Sequence, residues 1–150
     1  MKFRLAEFED CEQLTELRLA MRKERDLTYN EDVLRINTLN FFRTNIVNGR
    51  HISFVCEHNG QIIATAGLTL FEMPPTDKLL NGKVAKLMNM YTVPNYRGNG
   101  IGTKMIEFVM EYARDHEYFK VMLNSSPMGK KLYENFGFTL VEGEYEYYIL

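Results

Sequence analysis

Cysteine is scarce in this chain. Cys11 and Cys56 are the only two among 150 residues, they show no CxxC spacing, and two thiols do not make a disulfide scaffold. A reducing compartment is the expectation. No stretch approaches the ~18 apolar residues of a membrane-spanning helix, and MKFRLAEFED at the N-terminus has no apolar core of signal-peptide length. A surplus of one charge is missing too, since 18 Lys+Arg face 20 Asp+Glu for a formal net charge of −2. That balance gives no general attraction to nucleic acid or to an anionic membrane. His51, His58 and His116 stand at no metal-ligand spacing with one another or with cysteine, so no metal site is expected. No repeat, low-complexity tract or linker divides the chain. These absences favour a cytoplasmic, soluble protein that binds neither nucleic acid nor membrane.

What is present is a globular composition, 45% hydrophobic and 25% charged, which suits one domain with a real core. Residues 2 to 6 read as a first strand. Asp10 offers an N-cap with Gln13 three residues on, as in a capping box, and Leu14, Leu17 and Met21 follow at helical spacing. A second helix fits residues 31 to 48, with Ile36, Leu39, Phe42, Ile46 and Val47 on one broad face and a stop at Asn48-Gly49. In HISFVCEHNGQIIATAGLTLF the period changes to two. Asn59-Gly60 is a hairpin turn. Ile62, Ala64, Ala66, Leu68 and Leu70 take one face of the next strand, which Met73-Pro74-Pro75 ends. A further strand covers about residues 84 to 93 and stops at Pro94. After a helix marked by Ile101, Met105, Phe108, Val109 and Tyr112, another strand alternates Phe119, Val121 and Leu123. Ser126-Pro127 opens a last helix as N-cap and first residue, and Gly137 stops it. Residues 138 to 150 read as two short strands hinged near Gly143. The order β α α β β β α β α β β predicts an α/β (α+β) domain with a mixed sheet.

VPNYRGNGIGTKM, residues 93 to 105, places glycine at 98, 100 and 102 where a helix starts. One glycine suffices for the turn, and each further glycine in a helix costs about 0.8–1.0 kcal/mol against alanine. The surplus points to bare amides that must approach a ligand closely. A helix N-terminus leaves four N–H groups unpaired at the positive end of its dipole. A phosphate is the natural guest, with Arg97 and Lys104 as added charge. The pattern is GxGxG rather than the GxGxxG of dinucleotide folds, and Lys104 follows threonine where a P-loop has glycine.

Arg97-x-x-Gly100-x-Gly102, after a strand and opening a helix, resembles the acyl-CoA site of the GCN5-related N-acetyltransferase (GNAT) family. YTVPNYRGNGIG resembles that family's run of strand, proline, arginine and glycine. SSPMGKKLYENFGF resembles its second run, with a small residue ahead of an LY pair and GF at the end. The resemblance covers nearly the whole chain. It implies a single N-acetyltransferase domain over residues 1–150, with a mixed, mostly antiparallel twisted sheet of about seven strands and helices on both faces. It implies acetyl-CoA as acyl donor. Backbone groups of Tyr91, Thr92 and Val93 would pair with pantetheine as an added strand. Amides of Gly98, Asn99, Gly100, Ile101, Gly102 and Thr103, beside Arg97, would hold the pyrophosphate. Ser126 stands where the family often has asparagine against pantetheine, and its N-cap role is an equal alternative. Gly129 stands where alanine is common.

The implied reaction is direct attack of a primary amine, on a small molecule or a peptide, on the thioester. A backbone N–H near Met90 or Tyr91 would meet the oxyanion. Tyr133, in the LY pair, would be the general acid, against the alternative of a core aromatic with a hydrogen-bonded hydroxyl. The amine must first lose a proton, for which the family often places a glutamate on the fourth strand. Lys86-Leu87-Met88-Asn89-Met90 holds no carboxylate. Glu72 is the nearest candidate base, or else a plain solvated strand end, and Asn89 could position a water. Cys56 reads as a buried, inert thiol. The family's acceptor wall corresponds here to Tyr29, Leu34, Phe41 and Met73-Pro74-Pro75. Leu34 and Phe41 line a pocket or pack against a neighbouring helix or dimer mate, which leaves a homodimer open. Glu72, Glu142, Glu144 and Glu146 could favour a cationic acceptor. Two alternatives remain: a non-catalytic acyl-CoA-binding sensor or interaction module, and transfer of a longer acyl group.

Overall fold

The computed structural model describes residues 1–25 and 30–149. Five strands form one sheet in the order β1-β2-β3-β4-β5. They are β1 (Lys2–Leu5), β2 (His51–His58), β3 (Gln61–Glu72), β4 (Lys83–Thr92) and β5 (Lys120–Leu123). β1 to β4 pair antiparallel, and β5 joins β4 in parallel. The helices are α1 (Cys11–Glu24), α2 (Glu31–Asn48), α3 (Ile101–Asp115) and α4 (Lys130–Phe136). The α/β class and the mixed sheet agree with the sequence reading, but the count of about seven strands does not. No strand forms among the described residues 138–149. Alternation in FTLVEGEYEYYI supplies strand propensity, yet a strand also needs ladder partners. Beyond Phe138, which packs on Tyr133 and Phe136, the described residues offer this segment no neighbouring strand, and Tyr145 is 95% and Ile149 93% exposed.

Each face of the sheet has its own core. On one face α3 sets Ile101, Met105, Val109 and Ala113, a stripe at helical spacing, against residues such as Phe54, Ala66, Leu68 and Leu87. On the other, α1 and α2 set Cys11, Leu14 and Phe42 against Val55 and Ile62. Helices thus cover both faces, and β2 is buried on both sides. Ile62 does not share a face with Ala64, as simple alternation suggested. Cys56 opposes Ala64 and Glu57 opposes Ile62, so Ile63 is a bulge residue that reverses the facing. Burial pushes both thiols up, in keeping with an inert Cys56.

The helices differ from expectation in three places. Asp10 makes no side-chain cap for α1. Its carboxylate accepts from the Glu7 N–H at 2.7 Å and from the Arg4 guanidinium at 2.6 and 3.1 Å, and Arg4 holds it below the usual carboxylate range. Gln13 instead accepts from the Ile62 N–H at 3.1 Å, tying α1 to β3. On α2, Asn30 caps the Val33 N–H at 3.2 Å. Phe42 is buried there and Leu39 and Ile46 half-buried, but Ile36 and Val47 are exposed and Thr38 takes a buried place. The helix meets the sheet over a narrower strip than its apolar residues suggested. Finally, α4 starts at Lys130, and Ser126 caps the turn before it by accepting from the Gly129 N–H at 3.3 Å.

Candidate active site

β5 pairs with β4 only from Val84 to Leu87. β4 runs on to Thr92, so residues 88–92 face a gap on that side among the described residues. Asn89 adopts a left-handed φ of 57°, and the register with β3 shifts between Thr65 and Gly67. The resulting bulge bends β4 where β5 leaves it. Beyond it, the Val93 N–H is taken by the Ile63 carbonyl at 2.9 Å. Alternation therefore turns the backbone of Thr92 toward the gap, where its carbonyl accepts from Arg97 Nε at 2.8 Å.

The glycine junction closes one end of this gap. Gly98 and Gly100 have φ of 78° and 76°, so the turn alone demands two glycines rather than one. A Cβ on either would meet nothing within 4 Å; conformation, not crowding, selects glycine, and the space beside them is open. Gly102 is helical, and a Cβ there would lie 3.2 Å from Leu132 Cδ2, which lets α3 and α4 sit close. The α3 ladder begins with Lys104 N–H on the Gly100 carbonyl at 3.2 Å, and no side chain caps it. The amides of Ile101, Gly102 and Thr103 are left over. Asn99 braces the loop, donating to the Tyr96 and Arg97 carbonyls at 3.1 and 3.3 Å.

These elements enclose a cavity of about 530 Å³. Its lining brings together Tyr91, Thr92, Arg97, Gly98, Gly100, Ile101, Gly102, Ser126 and Tyr133. Val93, Asn99, Thr103 and Lys104 are not in it. Arg97 is not a free cation: it donates to both Glu24 oxygens at 2.9 and 2.8 Å, and the Tyr91 hydroxyl donates to the same carboxylate at 2.9 Å. Arg97 holds Glu24 below the carboxylate range, while burial and Glu24 push Tyr91 up. Tyr133 is half-buried, and burial pushes its hydroxyl up, with Arg25 opposing. That hydroxyl has no hydrogen-bond partner among the described residues. Its ring lies where a Cβ on Gly129 would come within 2.9 Å of Cε2.

A second cavity, of about 370 Å³, lies on the α1 and α2 side of the sheet. Leu34 and Phe41 line it with Arg18, Asn37, Thr38, Phe42, His51, Thr69, Met88 and Asn89. His51 Nδ1 is 2.9 Å from Thr69 Oγ1, whose hydroxyl donates to Met88 Sδ at 3.5 Å. Burial first, and Arg18 second, lower the His51 pKa to about 4, so the ring is neutral at pH 7. Asn89 is 5% exposed, and both its side-chain polar atoms lack partners. Asn89 is flanked on β4 by Met88 of this cavity and Met90 of the first.

The profile of the acetyltransferase (GNAT) family matches residues 11–138. The chain belongs to the GNAT family. A protein of Clostridium acetobutylicum described as a predicted acetyltransferase and solved with acetyl-CoA superposes with a TM-score of 0.91 at 28% identity, over 98% of this chain and 95% of that one. A GCN5-related N-acetyltransferase from Ralstonia eutropha shares the fold at a TM-score of 0.86 and 22% identity, over 98% and 97%. The mouse probable N-acetyltransferase family 8 member 5 is 33% identical over 92 residues, 59% of this chain and 39% of its own length. The curated relatives are longer, and the matches span from 30% to 53% of them. Acetyl-CoA-dependent N-acetylation is the general kind of reaction in this family.

Against a GNAT site, some expected residues stand apart. Glu72 is exposed opposite Lys83, roughly 10 Å along β3 from Thr69 of the second cavity at the usual rise per residue, and it is not among the lining residues of either cavity. Met73-Pro74-Pro75 and the glutamates at 142, 144 and 146 are likewise outside both. Tyr29 lies outside the described residues. Sequence reasoning missed Glu24, the anchor of Arg97, and Arg18. The spacing of Arg18, Arg22 and Arg25 along one side of α1 was the available signal. Among the described residues, no group of three or more His, Cys, Asp or Glu could hold a metal, and no helix is long and apolar enough to cross a membrane.

Proposed function

We propose that this chain transfers an acetyl group from acetyl-CoA to a primary amine by direct attack on the thioester. The carrying observation is the uncapped α3 N-terminus opening, beside two left-handed glycines, onto the same cavity as an unpaired β4 edge. A diphosphate fits the first and an extended, amide-bearing arm fits the second. The relative solved with acetyl-CoA supports the choice of donor.

In this reading the amides from Gly98 to Thr103 hold the diphosphate, aided by the helix dipole. The gap-facing backbone of Met90 and Thr92 takes the arm; Val93, whose amide is spent on Ile63, does not. Ser126 Oγ accepts from Gly129 and keeps its own proton to donate. The Met90 N–H, at the bulge, meets the oxyanion. The amine enters as the free base, its first proton lost to solvent. As its nitrogen bonds to the carbonyl carbon and the C–S bond breaks, Tyr133 gives its proton to the departing thiolate. Its raised pKa keeps it protonated until then. The proton shed by the new amide nitrogen passes through solvent to restore the Tyr133 hydroxyl. The second cavity delivers the amine. Glu72, which lines neither cavity, takes no role in this reading.

Two measurements test this: acetyl-CoA binding by calorimetry, and release of free CoA thiol that depends on added amine. Absence of binding by folded protein at millimolar acetyl-CoA would end the proposal. Binding without turnover on a broad amine panel would leave a CoA-loaded sensor in its place.

A further inference from the structure

The second cavity contains a cation with no counter-charge among the described residues. Arg18 is half-buried on α1 and lines it. Among the described residues Arg18 has no ion pair and no hydrogen bond. Its acidic neighbours along the helix are engaged elsewhere, Glu16 by Arg35 at 2.7 Å and Glu24 by Arg97 at 2.8 Å. Burial, then the like charges of Arg22 and Arg25, oppose its ionisation, yet a guanidinium stays protonated in proteins. No carboxylate stands among the described lining residues, and His51, close enough to feel Arg18, is neutral. A half-buried charge without a partner is costly, and a wall with one cation and no acid suits neither an empty site nor a cationic guest.

A second observation points the same way. Asn89, which lines the second cavity next to Met90 of the first, is 5% exposed, and neither Oδ1 nor Nδ2 has a partner among the described residues. Buried amides are normally satisfied. Oδ1 lacks a donor and Nδ2 lacks an acceptor; an amine supplies the one and an oxyanion the other.

We propose that the acceptor is a small amine carrying an oxyanion, a carboxylate or a phosphate, and that Arg18 selects it. This rests on the acetyltransferase reading above. The oxyanion docks on Arg18, the amine reaches past Asn89 toward Met90, and acetyl transfer proceeds there. A volume of about 370 Å³ holds a metabolite-sized molecule rather than a folded partner.

The experiment uses matched amines: amino acids against their amides, and O-phosphoethanolamine against ethanolamine. Thiol release gives kcat/KM, and calorimetry on CoA-loaded protein gives acceptor affinity. The oxyanion member of one pair is expected to exceed its neutral counterpart by at least about tenfold, and the two arms identify which oxyanion. Arg18→Gln lowers that preference by about 10- to 100-fold, mainly through the acceptor KM, and Arg18→Lys recovers part of it. Acetyl-CoA affinity, measured on each variant, reports that the fold and donor site persist. Loss of acetyl-CoA binding by the unmodified protein removes the acetyltransferase reading and this inference with it. With that binding intact, equal use of the paired amines, a preference untouched by Arg18→Gln, or no oxyanion-bearing amine that binds or reacts overturns the inference alone.

Discussion

The two cavities solve opposite problems with different parts of the chain. The first offers main-chain binding features among its side chains: leftover amides, two left-handed glycines and the bare edge of a bulged strand. Such a site recognises a ligand almost independently of side-chain identity, which suits one donor shared across a family. The second is made of side chains from α1, α2, β2, β3 and β4, and its character is set by which of them lack partners. On the proposed reading, conformation governs the donor side and unbalanced charge governs the acceptor side. Tyr133 belongs to the first cavity by position and, on the same proposed reading, acts on the thioester bond.

The contrast predicts where substitutions should act. The largest effect belongs to Tyr133→Phe, which should lower kcat by about 10²–10⁴-fold while acetyl-CoA affinity stays nearly constant by calorimetry. An unchanged kcat would remove Tyr133 from the chemistry.

In the second cavity, His51 should govern acid stability. Its pKa is about 4 in the fold against an ordinary value near 6.5, so the unfolded chain binds the extra proton between those values. The contribution is fully present above pH ~6.5 and is lost as pH falls toward 4, by an amount on the order of 3 kcal/mol. Urea titrations across this range should show that slope, and His51→Gln should flatten it. Equal slopes would mean that the ring is not held neutral.

Gly100→Val tests whether the donor site depends on conformation. A left-handed φ costs a side chain roughly 1–2 kcal/mol, so the acetyl-CoA dissociation constant should rise by about tenfold, with selectivity among amines preserved. Altered selectivity with unaltered affinity would reverse the division of labour.

Glu24→Gln should have the smallest effect. Its ion pair with Arg97 is substantially exposed, so the stability change should stay under about 1 kcal/mol. Releasing Arg97 should tighten acetyl-CoA binding a few-fold and make it more salt-dependent. Affinity that ignored both the substitution and salt would place Arg97 as a structural tie to α1 alone.

The same division explains what could be read from the sequence. A main-chain site demands particular residues at consecutive positions, so Gly98 to Gly102 and the Ser126 to Tyr133 segment were visible as contiguous text. Even there the number of required glycines was underestimated, because φ at Gly98 is a property of the folded turn. The direction of the Val93 N–H, toward the Ile63 carbonyl, was illegible for a related reason, since a bulge sets which backbone groups face β3. Arg18 was present in an evident arginine spacing. Its lack of a partner depended on Glu16 choosing Arg35 and Glu24 choosing Arg97, contacts made across helices and loops. Glu72 followed from a linear search for the nearest acid, and the length of β3 carried it away from both cavities. The C-terminal alternation was real, but pairing is decided by neighbours rather than by propensity.

The parting of β4 and β5 after Leu87 leaves the far half of β4 as an open rim of the sheet, one rail short. On the proposed reading, the amide groups of the donor fill that place for as long as it stays bound. Heat resistance should then rise with thioester concentration, and amide protons of Met88 to Thr92 should exchange more slowly in the loaded protein. Each turnover would briefly dismantle the scaffold that made it possible, because the chain leaves one of its own structural members to be supplied by what it consumes.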